Sequence, residues 1–175
     1  MSRILFALMW LVHWLPFGAL AAIGNVVGTL LFWLIAERRR VTRINLAKCF
    51  PRMHEAEREH LARAAFRAFC RSFVDRAVLW WAPPERLKRM VRLEGLEHLD
   101  AAGPRVVPCV ARMLPGGGYV VRLYPAWHDF PSGDDAADAR RMMAFIEERV
   151  LEMPEQYHWL HKRFKTRPEG EPGFY

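Results

Sequence analysis

The sequence predicts an α/β protein in which an N-terminal transmembrane helix precedes a small mixed sheet with flanking helices. Three observations lead there. Residues 4–36 form a run of 33 residues without a formal charge. Residues 54–81 repeat apolar side chains at helical spacing. Two β-rich runs, 105–113 and 119–124, flank Leu114-Pro115-Gly116-Gly117-Gly118, which has the chemistry of a turn.

The chain has 175 residues and a formal net charge of +7. That length suits one ordinary domain, or an anchor with a small domain behind it. A hydrophobic content of 52% excludes a disordered chain, and a mean hydropathy of −0.07 excludes a polytopic membrane protein. The charge is unevenly distributed. Residues 1–36 carry only Arg3, residues 37–100 carry 15 basic and 9 acidic residues, and residues 101–175 carry 10 of each. The cation excess therefore sits directly behind the apolar end. Cys49, Cys70 and Cys109 are widely spaced, which suggests neither a zinc site nor a disulfide framework. No cofactor or metal is expected.

The first element is the anchor, residues 1–36. About 20 apolar residues suffice to cross a bilayer core. Residues 17–36 meet that length after Pro16 and Gly18 interrupt the run. Trp10, Trp14 and Trp33 suit headgroup depth. A signal peptide needs a shorter apolar stretch and a small-residue cleavage site, and this run ends instead in Glu37-Arg38-Arg39-Arg40. Arg38, Arg39, Arg40 and Arg43 are membrane-surface candidates. By the positive-inside rule they hold their flank in the cytoplasm, and they can meet anionic headgroups. An RNA-binding reading of the same block lacks any accompanying motif, so no nucleic-acid partner is expected.

The second region, residues 37–82, is basic and helical. Leu61, Ala65, Phe69 and Phe73 recur every four residues, with Phe66, Cys70, Val74 and Ala77 beside them. Arg63, Arg67 and Arg71 make a second row at the same spacing. A core face with a solvated back explains most of this pattern; contact with lipid headgroups or an acidic partner is the functional alternative. Pro83-Pro84 stops the helix.

The third region, residues 83–175, reads as a reduced α/β domain with strands at 91–94, 105–113 and 119–124. Pro108 places the second strand at an edge or a bulge. Ser132 and Asp135 have capping-box spacing before a helix whose stripe is Ala139, Met143, Ile146 and Val150. After Pro154, the tail interleaves Tyr157, Trp159 and Phe164 with Lys162, Arg163, Lys165 and Arg167. It reads either as a helix packing its aromatic side or as an anion site, since Lys and Arg are the usual phosphate ligands.

Several blocks together carry a resemblance. They are LVHWLPFGAL, RRRVTRINLAKCFPRMHEAEREHLARAAFRAFCRSFVD, LEGLEHLDAAG, ARMLPGGGYVVRLYPAWHDFPSGD and MPEQYHWLHKRFKTRPEG. In this order they resemble the late acyltransferases of lipid A biosynthesis, the lauroyl/myristoyl transferase family of Gram-negative bacteria. The resemblance implies an inner-membrane enzyme with a single-pass anchor and a cytoplasmic domain of glycerol-phosphate-acyltransferase-like fold. Such enzymes move an acyl chain from acyl carrier protein to the Kdo-bearing lipid A precursor.

The resemblance also implies an H-x4-D/E motif. There a His takes the proton of the acceptor hydroxyl, and a carboxylate orients the imidazole. Among the seven histidines only His54 has an acid at that spacing, Glu59. The pair lies near the anchor, away from the place the family's motif takes, and five residues apart it does not share a helical face. It reads as a chance match, and no catalytic residue is assigned. The segment that would carry the motif is missing, with a junction near Gly103–Arg105. A core so shortened exposes sheet edges and apolar faces.

Two functions follow as alternatives. One is a family member with an internal deletion, inactive by itself. The other is a membrane-anchored binding or scaffold protein for acyl carrier protein or anionic lipid. Arg112, Arg122, Lys162, Arg163, Lys165 and Arg167 are the candidate contacts to phosphorylated lipid.

Overall fold

The computed structural model describes residues 2–103 and 105–175, with the backbone alone at Ser2. Pro104, at the centre of the expected junction, lies outside the described residues. The chain divides into two compact units, residues 1–81 with 154–175, and residues 82–153.

The first unit is helical: α1 (Ser2–Val12), α2 (Phe17–Leu34), α3 (Ala36–Cys49) and α4 (Glu55–Trp81). Pro16 separates α1 from α2, since its fixed φ suits a helix start and its missing N–H breaks a continuing one. The long apolar run is thus two helices. α2 is the one helix among the described residues with the length and composition to cross a membrane, and its mean hydropathy is 1.8.

α2 and α4 pack backbone to backbone. A Cβ on Gly28 would stand 2.5 Å from the Arg67 Cα, and one on Gly24 would stand 2.6 Å from the Arg71 Cα. Small residues let backbones approach this closely. At the other end of the contact the Phe32 and Phe66 rings meet edge-to-face at 5.2 Å, both 1% exposed. Leu20, Ala21, Gly24, Gly28 and Phe32 form the buried face of α2, while Leu61, Ala62, Ala65, Phe66, Cys70, Ala77 and Val78 form that of α4. Phe73, which shares a sequence stripe with Leu61 and Ala65, is instead 37% exposed. The seam follows the glycines and turns Phe73 away from it.

α3 contributes Val41, Thr42, Asn45 and Leu46 to the interior. Thr42 returns its hydroxyl to the Arg38 carbonyl at 2.9 Å, so it is satisfied within the helix. Asn45 has no exposed surface, and its amide binds the C-terminal tail. Nδ2 donates to the carbonyls of Trp159 at 2.7 Å and His161 at 2.8 Å, and Oδ1 accepts from the Tyr175 hydroxyl. The same hydroxyl accepts from the Phe164 amide at 3.1 Å.

The tail is not the helix that its aromatic and basic alternation suggested. After one 3-10 turn at Pro154–Gln156 it is irregular. Its backbone groups are held by side chains instead: Asn45 as above, and Arg38, which donates to the Leu160 carbonyl at 3.3 Å. The Trp159 indole donates to the Pro154 carbonyl at 2.6 Å and packs edge-on against Phe50.

The second unit contains α5 (Pro84–Met90), β1 (Val91–Glu94), α6 (Leu96–Asp100), β2 (Cys109–Met113), β3 (Tyr119–Leu123) and α7 (Asp135–Glu152). The sheet is mixed, in the order β1-β3-β2, with β1 parallel and β2 antiparallel to β3. β2 is shorter than the run 105–113 and begins one residue after Pro108, which sits at an edge as a residue without an N–H must. The β2–β3 turn needs Gly118, whose φ is +80° and whose missing Cβ would stand 2.8 Å from the Met90 carbonyl.

The cap of α7 is Asp134, not Ser132. Its carboxylate accepts from the amides of Ala136 and Ala137, both at 3.0 Å. Ser132 lies upstream, where its amide donates to the buried Asp138 at 2.8 Å. α7 also turns its stripe outward. Met143 is 55% exposed, whereas Phe145 stacks edge-on with Tyr124 at 5.1 Å. The larger aromatic contact fixes the rotation of the helix. Leu93, Leu96, Leu99 and Val106 are also uncovered, so the apolar exposure expected of a shortened core is present.

Two measurements test this packing. Asn45→Ala leaves two tail carbonyls unpaired and is expected to cost about 3 kcal/mol, read as a lower urea midpoint with faster proteolysis after residue 156. Gly28→Leu must force α2 from α4 and is expected to cost at least about 2 kcal/mol. Gly116→Ala, with nothing within 4 Å of the new Cβ, is the matched substitution that leaves the midpoint unchanged.

Candidate lipid-facing site

The carboxyl end of α2 gathers cations. Its last carbonyls lack intrahelical partners and carry the negative end of the helix dipole. Arg39 answers both, donating to the carbonyls of Phe32 at 2.7 Å and Trp33 at 2.8 Å. The Arg39, Arg43 and Arg63 guanidinium groups lie over the Phe32 ring at 5.6, 5.8 and 5.7 Å. Arg39 and Arg63 also flank Trp33, a residue that is 60% exposed. Glu59 is the acidic member of this cluster. Arg43 binds it through two hydrogen bonds of 2.8 and 2.7 Å, and Arg63 lies 3.7 Å away. The Arg43 hydrogen bonds hold the Glu59 carboxyl below the usual carboxylate range. Three guanidinium groups against one carboxylate leave an excess of positive charge beside an exposed indole, which suits an anionic headgroup.

A shallow groove of about 270 Å³ adjoins α3, lined by Glu37, Arg40, Val41, Ile44, Lys162 and Tyr175. Lys162 pairs with Glu37 at 3.3 Å. An apolar cavity of about 340 Å³ lies between α2, α4 and the tail. Leu31, Ile35, Phe66, Phe69 and Leu160 line it, with Arg38, Cys70, His158 and His161 as its polar members. That volume is at the lower end for small-molecule sites. Burial pushes the His158 imidazole below its ordinary value, helped by the nearby cations Arg163, Arg38 and Arg76 and by His161. Its ring is stacked on Phe69 at 5.1 Å. No carboxylate lines this cavity among the described residues.

The sequence candidates separate between the units. Arg38, Arg39, Arg40, Arg43, Lys162, Arg163, Lys165 and Arg167 belong to the first. There Arg163 lies over the Tyr157 ring at 4.5 Å, Lys165 is exposed, and Arg167 pairs with Glu171 and covers Phe174. Arg112 and Arg122 belong to the second. Arg112 is exposed on the edge strand β2, and Arg122 is hydrogen-bonded to Glu94, its register partner across β1 and β3. The Arg122 guanidinium holds the Glu94 carboxyl below its usual range.

His54 and Glu59 play structural parts. The His54 amide donates to Glu57 at 3.3 Å and its Nδ1 accepts from the Ala56 amide at 3.3 Å, which fixes the start of α4. Glu59 faces Arg43. The sequence pointed to Trp33 by its place at the end of the apolar run, but not to Asn45 or the His158 cavity. A polar amide in mid-helix at Asn45 was the available signal, since Asn disfavours a helix interior unless its side chain has a partner.

The profile of the bacterial lipid A biosynthesis acyltransferases matches residues 2–105 and, separately, residues 101–166. The lauroyltransferase of lipid A biosynthesis in Escherichia coli (strain K12) is 21% identical over 281 residues, covering 95% of this chain and 92% of that protein. A lipid A biosynthesis palmitoleoyltransferase of the same organism is 22% identical over the same shares. The lipid A biosynthesis acyltransferase of Haemophilus influenzae is 34% identical over 87 residues, 49% of this chain and 28% of that protein. No solved structure matches. The chain, at 175 residues, is shorter than the 281-residue stretch over which it aligns. Since the family profile accounts for nearly the whole sequence, the chain belongs to the bacterial lipid A biosynthesis acyltransferase family.

Proposed function

We propose that this chain is an internally shortened lipid A acyltransferase that keeps the family's membrane-facing parts and does not transfer acyl groups by itself. The observation that carries the reading is the split match. Two family segments, 2–105 and 101–166, meet at the Gly103–Arg105 junction, and the aligned stretch exceeds the chain by 106 residues. The catalytic H-x4-D/E motif belongs to the segment that is lost there. Its one match by spacing, His54 and Glu59, is engaged in capping α4 and pairing Arg43.

Acyl transfer from a thioester to a hydroxyl needs a base positioned at that hydroxyl and donors for the oxyanion. Burial disfavours the charged form of His158, and the apolar cavity it lines holds no carboxylate to orient its ring among the described residues. Binding an acyl chain or a headgroup does not replace those groups. The domain behind the anchor is accordingly a truncated glycerol-phosphate-acyltransferase-like fold. The protein resides at the cytoplasmic face of the bacterial inner membrane, attached through residues 1–36.

A second reading is a scaffold that binds anionic lipid or acyl carrier protein. The arginine cluster around Trp33 and the exposed Arg40, Arg163 and Lys165 favour it. It is compatible with the loss of catalysis, because these cations lie outside the missing segment.

The full chain reconstituted in phospholipid vesicles, given acyl carrier protein loaded with a fatty acid and the lipid A precursor, is expected to form no acylated product above a protein-free control. Sustained turnover would overturn the inactive reading. In competition between anionic and zwitterionic vesicles, the wild-type chain is expected to favour the anionic ones, less so as salt rises. Arg40→Ala is expected to reduce that preference about fivefold, the equivalent of about 1 kcal/mol for one surface cation. An unchanged preference would remove Arg40 from the lipid contact.

A further inference from the structure

We propose that α7 is a self-association surface, whose outward apolar stripe pairs antiparallel with the same stripe of a second copy of this chain. The inference concerns the second unit alone and stands apart from the loss of catalysis.

The inner face of α7 is engaged within its own unit. Phe145 meets Tyr124 edge-to-face at 5.1 Å and Trp127 at 5.8 Å. Arg149 donates to the Tyr124 hydroxyl at 3.1 Å, and Arg141 donates to the His128 carbonyl at 2.9 Å. The buried Asp138 accepts from the Ser132 amide. Residues 138, 141, 145 and 149 follow one another at helical spacing, so they make one stripe and fix the rotation of the helix.

That rotation leaves a second stripe outside. Ala139, Met143, Ile146 and Val150 also follow one another at helical spacing, about 130° around the helix from the first stripe. Met143 is 55% exposed, Ile146 38% and the adjoining Met142 39%. Apolar residues in this pattern ordinarily pack against another element. α7 is already folded and held by its inner face, so a partner on the outer face orders no new backbone.

Charge selects the partner. α7 carries five acidic residues, Asp135, Asp138, Glu147, Glu148 and Glu152, against Arg140, Arg141 and Arg149. Its net negative charge disfavours an anionic leaflet or an acidic protein on this face. A second copy of α7 fits through the arrangement of its charges. Arg140 and Glu147 are both exposed and lie along the same edge of the stripe. An antiparallel pair sets Met143 against Ile146 and Ala139 against Val150 of the second copy. Arg140 then falls beside Glu147 of the second copy, and the two-fold axis forms the pair again. A parallel pair would bring Asp135 to Arg140 but leave Glu147 beside Met142, with the two helix dipoles aligned. The stripe is about 16 Å long, a contact at the small end of specific interfaces, so its flanking charges decide whether it forms.

Charge exchange tests the pairing without touching the inner face. Sedimentation equilibrium of the full chain in a nonionic detergent reads association, and circular dichroism of each variant checks that the helices persist. The wild-type chain is expected to dimerise. Arg140→Glu sets two acids against each other at both ends of the contact, and Glu147→Arg sets two cations there. Each is expected to lower the association constant about tenfold, as two exposed ion pairs turn from attraction to repulsion. An equal mixture of the two variants is expected to associate as the wild type does, because every charge then meets its opposite. A monomeric wild type, or loss in both variants without rescue in the mixture, would overturn the proposal. Association that neither exchange weakens would place the contact on another surface and overturn it too. Loss with Arg140→Glu while Glu147→Arg dimerises normally would mean a parallel pair, against the register proposed. A fluorophore on Met143→Cys, in a chain with Cys49 and Cys109 replaced by serine, tests the other occupant: quenching by brominated lipid in anionic vesicles would make the membrane the partner and refute self-association through this stripe.

Discussion

The buried amide of Asn45 holds the first unit together. The tail that follows Pro154 has no repeating hydrogen-bond pattern of its own, so its carbonyls need partners from elsewhere. Asn45 supplies two N–H groups at fixed spacing, one for Trp159 and one for His161, and completes its own set by accepting from Tyr175. An amide with no exposed surface is tolerable only because all of these bonds are made. The consequence reaches the functional surface. With the tail tied to α3, Lys162 is brought to Glu37 and Arg40, and His158 is brought to the cavity beside Phe69.

The second constraint is the glycine contact between α2 and α4. It sets the distance at which an apolar helix and a helix rich in arginine coexist. The cations emerge at the carboxyl end of α2, where the helix dipole and the rings of Phe32 and Trp33 attract them. Glu59 offsets part of that charge and leaves the rest available. The surface thus combines apolar area with an excess of cations, the two requirements for holding to an anionic membrane.

The second unit carries the mark of its shortened sequence. A sheet of three strands with β1 and β2 both at edges is small, and Leu93, Leu96, Leu99 and Val106 stay uncovered around it. Its contacts include the Phe145–Tyr124 pair, the Arg149 hydrogen bond to Tyr124, and the cap of α7 by Asp134. The family profile matches the chain in two segments that meet in this unit, and the chain is shorter than the 281-residue stretch over which it aligns with a relative.

Much was legible from the order of residues. Apolar length marked α2, helical spacing marked α4, and the Pro-Gly-Gly-Gly turn marked the β2–β3 hairpin, because each rests on local chemistry. The basic flank at residues 38–43 was legible for the same reason. What escaped depends on residues far apart in the chain. The irregular path of the tail is dictated by Asn45, more than a hundred residues earlier. The outward rotation of α7 is dictated by Tyr124. The pairing of Glu59 with Arg43, and of Glu94 with Arg122, turns two arginines from free cations into ion-pair partners. The sequence by itself therefore determined which segments are apolar, which are charged and where turns fall, since these follow from composition within a few residues. Only the tertiary structure decided which face of α2 is covered and which cations remain for a ligand. Those outcomes depend on which distant groups satisfy one another's hydrogen bonds and charges.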